Sequence, residues 1–180
     1  MSIEKWNDRY RAGEQLFDTP SPLVTRFVGD LVPGVALDLA CGPGRNAVYL
    51  AERGWRVTAV DGSPIAIAKL RERNVAIDAR LADLERGEFQ IQPDSCNLIC
   101  DCYYLQRNLF PQMKMGIRTG GMAIVIVHLA RSDEPAGTPT RACPDELRTY
   151  FAGWNILHYR EGQPDEACHQ RAVAELVAVR

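Results

Sequence analysis

Aspartates follow four predicted β-strands, and they are the side chains with the clearest potential for ligand chemistry. Asp38, Asp61, Asp83 and Asp101 each stand at or just beyond the end of a short β-prone run. In open α/β sheets, ligands bind at the carboxyl ends of the strands. A row of carboxylates at that edge favours a cationic ligand and suits a pyrophosphate poorly, because like charges repel.

The first of these aspartates opens a glycine loop. Asp38–Asn46 reads DLACGPGRN. It includes the end of the predicted strand Val35–Ala40 and continues into a helix that starts near Arg45. Gly42 and Gly44 allow a sharp turn and let a ligand approach the backbone. The start of the helix directs N–H groups and the positive end of its dipole at such a ligand.

The spacing of the loop leaves two hypotheses open. Gly42–Ala47 satisfies the G-x-G-x-x-(G/A) fingerprint, and Asp61 lies about where an acid binds a ribose, so a nicotinamide-dependent oxidoreductase is possible. An ordinary tight turn is the simpler alternative. Asp38 disfavours the oxidoreductase, because a buried carboxylate needs a cationic ligand or backbone N–H groups. Asp83 follows the third strand, where an adenine edge needs an acceptor, although a helix cap is the alternative.

The elements that position these residues alternate along the chain. Strand and helix patterns alternate from residue 35 to residue 127, which predicts a parallel sheet flanked by helices. Ser63 has the character of an N-cap. A helix over Leu105–Ile117 would hold Pro111 in its first turn or be kinked by it, and Thr119–Gly121 is predicted to be a turn. The other predicted strands are Arg56–Val60, Ala76–Leu81, Cys96–Cys100 and Met122–Val127.

Both ends of the chain depart from this alternation. Residues 1–34 are helical in tendency, with breaks at Pro20, Pro22 and Pro33. Residues 131–144 form a predicted loop, and a short helix follows over Asp145–Phe151. Two final strands, Trp154–Tyr159 and Arg171–Val179, are predicted to pair as an antiparallel hairpin. We predict a single domain over 1–180, with 1–34 as a helical cap segment.

Composition narrows the class of protein. The chain has 180 residues, which suits one domain with a sizeable core. The net charge is −2 without blocks of like charge, which disfavours a nucleic-acid or anionic-membrane partner. No apolar run could span a bilayer, and residues 1–8 lack a signal-peptide core. We expect a cytoplasmic protein that is a monomer or weak homodimer.

The six cysteines do not indicate a metal site. They include no CxxC pair, and Cys96, Cys100 and Cys102 fit no zinc spacing. In a cytosolic chain such residues are reduced and behave as small apolar side chains. We therefore predict no metal, and no redox role for Cys41.

Several motifs together resemble those of class I S-adenosylmethionine-dependent methyltransferases. They are DLACGPGRN, AVDGSP at 59–64, ADL at 82–84 and the aspartate of strand four. Within that superfamily the chain is most similar to the small bacterial group around the tellurite-resistance methyltransferase, in Trp6–Tyr10, Cys102–Arg107 and His169–Arg171. The resemblance implies a Rossmann-like three-layer α/β sandwich with a mostly parallel seven-stranded sheet and an antiparallel last strand. It also implies an enzyme that uses S-adenosylmethionine.

The resemblance further implies how S-adenosylmethionine is bound. Gly42 and Gly44 would face its methionine part, and Asp61 would accept from both ribose hydroxyls. Asp83 and Leu84 would hold the adenine, and Asp101 would lie near the methionine amino group. Trp6, Arg9 and Tyr10 would close over the cofactor, with packing against the sheet as the alternative for Trp6 and Tyr10. The same motifs add Asp38, Ala40, Asn46, Gly62, Ser63 and Ala82 to the predicted site.

Basic residues are the candidates for chemistry on the acceptor. His128 ends the fifth strand at the ligand-binding edge and is the best-placed general base; a histidine bonded to a loop carbonyl is the alternative. His169 and Arg171 are carried over from the resembled group, although Gln170 departs from its pattern. Arg107 and His158 are further candidates.

Methyl transfer from a sulfonium places few demands on catalytic side chains. It is an in-line displacement that releases a neutral thioether, so alignment and exclusion of water are the main contributions. A soft nucleophile such as a thiolate, selenide or telluride needs no general base, whereas a hydroxyl or amine generally does. We predict a small-molecule acceptor, with such a soft nucleophile as a candidate. A non-catalytic S-adenosylmethionine-binding regulatory domain stays open as an alternative, beside the oxidoreductase.

Overall fold

The structure is a computed structural model that describes residues 2–13, 18–130, 138–166 and 171–180. Helices in these ranges are α1 Ile3–Arg11, α2 Pro22–Val28, α3 Arg45–Glu52, α4 Pro64–Glu72, α5 Leu109–Gly116 and α6 Glu146–Tyr150. Strands are β1 Val35–Leu39, β2 Arg56–Asp61, β3 Ile77–Leu81, β4 Cys96–Cys102, β5 Ile117–His128, β6 Asn155–Gly162 and β7 Val173–Val179.

The strands form a seven-stranded sheet in the order β3-β2-β1-β4-β5-β7-β6. Strand β2 is parallel to both β1 and β3, and β4 is parallel to β5. Strand β7 runs antiparallel to both β5 and β6. The predicted fold class is therefore confirmed, including the terminal hairpin.

The chain divides into two compact units, residues 1–90 and residues 91–180. Leu39, Leu50 and Ile67 are among the largest fully buried side chains of the first unit, and Phe110 and Phe151 are among those of the second. The single domain over 1–180, with 1–34 as a cap segment, stays a prediction.

Local sequence signals explain most element boundaries. Ser63 caps α4, where its hydroxyl accepts from the Ala66 N–H, and Pro64 takes the first helical position. Ile67 and Leu70 lie on the buried side of that helix. Residues 122–127 of β5, the predicted strand Met122–Val127, are all buried, as in a strand covered on both faces.

Several elements differ from the sequence-based expectation, and three of the differences involve a proline or a predicted turn. Pro22 begins α2, where the N–H that it lacks would have no helical partner, so it is not a break. Helix α5 starts at Leu109 rather than Leu105, which leaves Pro111 in its first turn. The predicted turn Thr119–Gly121 lies inside β5: pairing with β4 shifts there from Cys96–Ile117 to Leu98–Met122.

Among the residues that the structure describes, no helix is long and apolar enough to cross a membrane.

Candidate functional site

Asp61, at the end of β2, has a carboxylate that the backbone holds in one orientation. Its Oδ2 accepts from the Gly42 N–H at 2.8 Å, and its Oδ1 accepts from the Ser63 N–H at 2.7 Å. Burial raises the pKa of Asp61, and these two hydrogen bonds oppose that rise. A carboxylate offers about four lone-pair positions, so each oxygen keeps capacity for another donor. The geometry suits two neighbouring hydroxyl groups.

Asp38, in β1, is a buried acid of the first unit. It is 1% exposed, and the Ala47 N–H donates to it. Among the described residues its Oδ2 has no hydrogen-bond partner. Burial raises the pKa of Asp38 to about 7, although the Arg45 charge and the Ala47 N–H oppose the rise. A buried carboxylate oxygen without a partner is costly, so a cationic or N–H-bearing ligand would satisfy it.

The Asp38–Ala47 bond also changes how the start of α3 is understood. Ala47 is the third residue of that helix, so its N–H has no partner within the helix. The sequence predicts that N–H groups there face a ligand, whereas the structure directs this one to Asp38. Asp38 therefore caps α3 as well as lining the loop.

The raised pKa of Asp38 makes a testable prediction about stability. The unfolded chain loses this proton near pH 4, whereas the folded chain keeps it to about pH 7. The free energy of unfolding should therefore fall as the pH rises from 4 to 7. Asp38→Asn should remove this loss and raise the free energy of unfolding at pH 8 by about 1–3 kcal/mol, while changing it little at pH 4.

Urea unfolding at both pH values, without ligand, measures this effect. Asp78→Asn, at a half-exposed position on β3, controls for the loss of one negative charge. A pH dependence in Asp38→Asn equal to that of the unmodified chain would contradict the prediction.

Both loop glycines have positive φ, +54° at Gly42 and +88° at Gly44. A Cβ on Gly44 would lie 2.3 Å from Cδ1 of Leu70 in α4, and one on Gly42 would lie 3.0 Å from the Tyr10 hydroxyl. The Gly44 N–H donates to the Cys41 carbonyl at 3.0 Å and closes a tight turn. The loop thus requires glycine for its own packing, before any ligand approaches.

Helix α1 packs one face against the residues that hold Asp61. Ile3, Asn7 and Tyr10 have the spacing of a single helical face. Ile3 packs on Gly62, where an added Cβ would lie only 2.8 Å from Cδ1 of Ile3. Tyr10 packs on Gly42. The Ser63 hydroxyl donates to Asn7 Oδ1 at 2.5 Å. Sequence reasoning missed Asn7, although its place four residues after Ile3 is a readable signal.

The three residues predicted to close over the cofactor contact one another. Trp6 and Tyr10 stack with ring centroids 5.6 Å apart, and the Arg9 guanidinium lies 4.9 Å from the Trp6 ring centre. Tyr10 is buried, and burial together with the Asp61 and Cys41 charges raises its pKa. These contacts are of the kind expected if Trp6 and Tyr10 serve packing. That Trp6, Arg9 and Tyr10 close over the cofactor stays a prediction.

The carboxylate of Asp83 is bonded to its own turn. Its Oδ1 accepts from the N–H groups of Glu85 at 2.9 Å and Arg86 at 3.3 Å, as a capping acid does. The Asp83 N–H donates to Glu88 Oε2 at 2.9 Å. The contacts present are thus those of the turn-capping alternative, and binding of adenine by Asp83 and Leu84 stays a prediction.

The other predicted residues of the first unit lie around the same loops. Asn46 is buried, and its Oδ1 accepts from the Ser21 N–H at 2.9 Å, which ties the start of α2 to α3. Ala40 has φ +49° directly after β1. The Ala82 N–H donates to the Asp61 carbonyl at 3.0 Å, which continues the β2–β3 pairing. Burial raises the pKa of Cys41 well above its ordinary value, consistent with a small packing residue.

The second unit contains the remaining predicted residues. Asp101 is fully buried in β4, and His128 ends β5 half-buried, with its ring 5.5 Å from that of Tyr103. Arg171 is exposed, and His169 lies outside the described residues. Asp101 is therefore closed off from solvent, whereas the His128 side chain is in part accessible.

Arg107 and His158 are engaged in contacts within the unit. The Arg107 guanidinium donates from Nε and an Nη to the two Glu146 oxygens at 2.6 and 3.0 Å, and to the carbonyls of Thr138 and Arg141. His158 Nε2 lies 3.2 Å from the buried Glu175. Arg107 therefore anchors the segment 138–146, which makes chemistry on an acceptor a poor assignment for it.

The Arg107–Glu146 pair should stabilise the second unit measurably. Burial opposes ionisation, but hydrogen bonds from Arg107 and the Cys143 N–H hold the pKa of Glu146 below its ordinary value. The contribution is present above the ordinary carboxyl pKa and is lost as the pH falls through the lowered one. Arg107→Met should lower the free energy of unfolding by about 1–3 kcal/mol at pH 7.

A double-mutant cycle with Glu146→Gln isolates the pair. We expect a coupling of about 0.5–2 kcal/mol at pH 7 that shrinks in acid, measured by urea unfolding. Strict additivity of the two substitutions at pH 7 would show that the pair contributes nothing.

Comparison with known proteins assigns the family. The model of the family "Tellurite resistance protein TehB" matches residues 5–170. The chain belongs to the TehB family. This confirms the resemblance to class I S-adenosylmethionine-dependent methyltransferases of the tellurite-resistance group that the motifs indicate.

Individual curated relatives are similar to this chain over about three quarters of its length. The "Probable S-adenosyl-L-methionine-dependent methyltransferase TehB" of Haemophilus influenzae is 30% identical over 154 residues, 76% of this chain and 54% of the relative. "Hemagglutinin 1" of Eikenella corrodens is 29% identical over 153 residues, 79% of this chain and 51% of the relative. The chain spans about half the length of these curated relatives.

A solved TehB structure shows the same fold. The crystal structure of TehB from Haemophilus influenzae superposes with a TM-score of 0.76 at 24% identity, over 97% of this chain and 67% of that chain. At this identity the likeness concerns the fold alone.

Proposed function

We propose that this chain transfers the methyl group of S-adenosylmethionine to a small-molecule acceptor. The observation that carries the proposal is the pair of acids on either side of the glycine loop. Asp61 has both oxygens oriented by backbone N–H groups, and Asp38 has a buried oxygen without a hydrogen-bond partner among the described residues. A ligand with a cis-diol and a positive charge suits both.

The residues of the first unit fit S-adenosylmethionine by their chemistry. Asp61 would accept from the ribose hydroxyls, and Asp38 would compensate positive charge from the methionine side. Gly42 and Gly44 have no side chains, so a ligand could approach the backbone of the loop there. Trp6, Arg9 and Tyr10 would exclude water from the ligand. The further proposed contacts are Ala40, Asn46, Gly62, Ser63, Ala82, Asp83 and Leu84, and Asp101 keeps its predicted role.

The chain's contribution to the reaction is orientation. S-adenosylmethionine supplies a methyl group on a sulfonium, whose departure as a neutral thioether needs no acid. Asp61, oriented by its two backbone donors, would hold the nucleoside and so align the reacting carbon. Helix α1 packs on Gly42 and Gly62 and would keep solvent from that position.

The acceptor that we propose is a soft sulfur, selenium or tellurium nucleophile. The name of the Haemophilus influenzae relative supports methyl transfer, and the name of the matched family supports a chalcogen. We propose a cytoplasmic monomer or weak homodimer that needs neither nucleic acid nor membrane.

Calorimetry tests the proposed cofactor. S-adenosylmethionine and S-adenosylhomocysteine should bind with micromolar-class dissociation constants, and NADH should not bind. Tight binding of NADH would favour the oxidoreductase instead. Release of S-adenosylhomocysteine in the presence of thiols, selenite, tellurite or small amines then separates an enzyme from a regulatory domain, since turnover with none of them favours the latter.

A further inference from the structure

Tyr103 has a backbone conformation that its residue type disfavours. Among the described residues, five that are not glycine have positive φ, namely Ala40, Asn74, Asp94, Tyr103 and Asp145. Asn and Asp adopt this region readily, whereas an alanine or a bulky tyrosine does so at a cost. Tyr103, at φ +69°, is therefore the most strained of them by residue type.

The two residues outside the Asn and Asp class occupy matching places. Ala40 directly follows β1, and Tyr103 directly follows β4. Ala40 belongs to the glycine loop between Asp38 and Gly42. Strained residues cluster at functional sites, where neighbouring groups hold them. Tyr103 is thus a candidate for a second functional position at a strand end.

Tertiary interactions hold Tyr103 in this conformation. Its N–H donates to the Ile126 carbonyl at 2.6 Å, and its hydroxyl donates to Glu166 Oε1 at 3.0 Å. Its ring lies 5.5 Å from the His128 ring at an interplanar angle of 51°. Glu166 is 63 residues away in sequence, so the contact depends on tertiary packing.

Tyr103 and His128 lie at one edge of the second unit. Strands β4 and β5 are parallel, and Cys102 pairs with Ile126, so both strands end at this edge. Tyr103, His128 and Glu166 are all half-buried. The phenol ring therefore restricts the orientation of an imidazole that still reaches solvent.

We propose that Tyr103 is the positioning residue for His128, and that His128 takes a proton from a thiol acceptor. The inference rests on the proposed function, and it selects, among soft nucleophiles, one that still carries a proton. The thiol sulfur forms a bond to the methyl carbon, and the bond from that carbon to the sulfonium breaks with its electron pair left on the departing sulfur. The thiol proton passes to the His128 imidazole and then to water.

The strain itself is tested by a pair of substitutions that both remove the ring. Glycine adopts φ +69° without strain, whereas alanine does not. The melting temperature of Tyr103→Gly should therefore be about 2–6 °C higher than that of Tyr103→Ala. At an ordinary helical or extended position alanine is the more stable of the two. An equal or higher melting temperature for Tyr103→Ala would overturn the assigned strain.

The positioning role is tested with dithiothreitol as the thiol and release of S-adenosylhomocysteine as the readout. His128→Asn should lower kcat about 100-fold, as expected for loss of a general base. Tyr103→Ala and Tyr103→Gly should both lower kcat about 10-fold with KM for S-adenosylmethionine unchanged. Tyr103→Phe keeps the ring and should stay within about 3-fold. The more stable glycine variant should be as slow as the alanine variant, which a merely structural role does not explain.

Imidazole NMR signals give a readout that needs no acceptor. The chain has three histidines, so each signal can be assigned by substitution. The His128 signal should move in Tyr103→Ala and Tyr103→Gly, and the His158 signal should not. An unmoved His128 signal, or unchanged kcat in both variants, would overturn the positioning role.

Failure of the inference and failure of the proposed function give different results. If the unmodified chain does not bind S-adenosylhomocysteine, the proposed function fails. If it binds this ligand but does not methylate dithiothreitol, the thiol class and the role of His128 as its base are overturned.

Discussion

Replacing Asp61 with alanine should abolish binding of S-adenosylhomocysteine, with a dissociation constant at least about 100-fold higher than that of the unmodified chain. Two ribose hydroxyls donating to one carboxylate form charge-assisted hydrogen bonds, each worth about 1.5–3 kcal/mol. Their joint loss therefore costs about 3 kcal/mol or more, which corresponds to the 100-fold change.

The structure adds a second reason for a large effect. The Asp61 carboxylate is the acceptor for the Gly42 and Ser63 N–H groups, at 2.8 and 2.7 Å. With alanine at this position, both N–H groups would lose their acceptor. The loops after β1 and β2 would then no longer be bonded to the same carboxylate. The affinity of Asp61→Asn for S-adenosylhomocysteine should lie between those of the unmodified chain and Asp61→Ala, because the amide nitrogen of asparagine would face one of these N–H donors.

Asp78→Ala is the matched control for Asp61→Ala. It removes the same side chain from the neighbouring strand β3, at a position where the carboxylate is half-exposed and paired with Arg80. Calorimetry with S-adenosylhomocysteine should show unchanged affinity for this variant, and thermal unfolding should show that both variants fold. Retained affinity in a folded Asp61→Ala protein would remove Asp61 from the ribose site.

Gly44→Ala should be the most destabilising single-methyl substitution in the loop. Alanine is strained at φ +88°, and its Cβ would lie 2.3 Å from Cδ1 of the buried Leu70. Backbone strain of about 1–3 kcal/mol and overpacking of about 1–3 kcal/mol together predict a loss of about 2–5 kcal/mol in the free energy of unfolding. Urea unfolding without ligand measures it.

Gly87→Ala separates strain from overpacking. Gly87 lies in the same unit with φ +72°, but nothing lies within 4 Å of an added Cβ. Its substitution should cost only about 1 kcal/mol. Shortening Leu70 supplies the second check: Gly44→Ala combined with Leu70→Ala should destabilise less than the sum of the single variants. Equal losses at Gly44 and Gly87 would show that the Leu70 contact is unimportant.

The fold was predictable because its signals are local. Short apolar runs, the Ser63–Pro64 cap and the pattern of glycines each act within a few residues, so the strands and most helices appear in the sequence. The start of α5 was not predictable in this way. Leu105 has helical character, but the chain from Tyr103 to Asn108 is held by tertiary contacts such as that between Arg107 and Glu146.

The candidate site was predictable in part. The acids Asp38 and Asp61 could be placed at strand ends, because parallel strands carry ligand groups there. Their states could not be read from sequence, since burial, Ala47 and Arg45 together decide the pKa of Asp38. For Asp83 the sequence leaves adenine binding and capping both open, and the structure shows that its carboxylate accepts hydrogen bonds from N–H groups of its own turn.

The family, the α/β alternation and the glycine loop between its acids can be read from the sequence, because motifs and periodicity are properties of neighbouring residues. Which side chains meet across long intervals of chain is visible only in the folded protein. Asn7 bonds Ser63, Tyr103 bonds Glu166 and Arg107 bonds Glu146 across 56, 63 and 39 residues. Such pairings depend on how whole elements pack, and no local pattern records that packing.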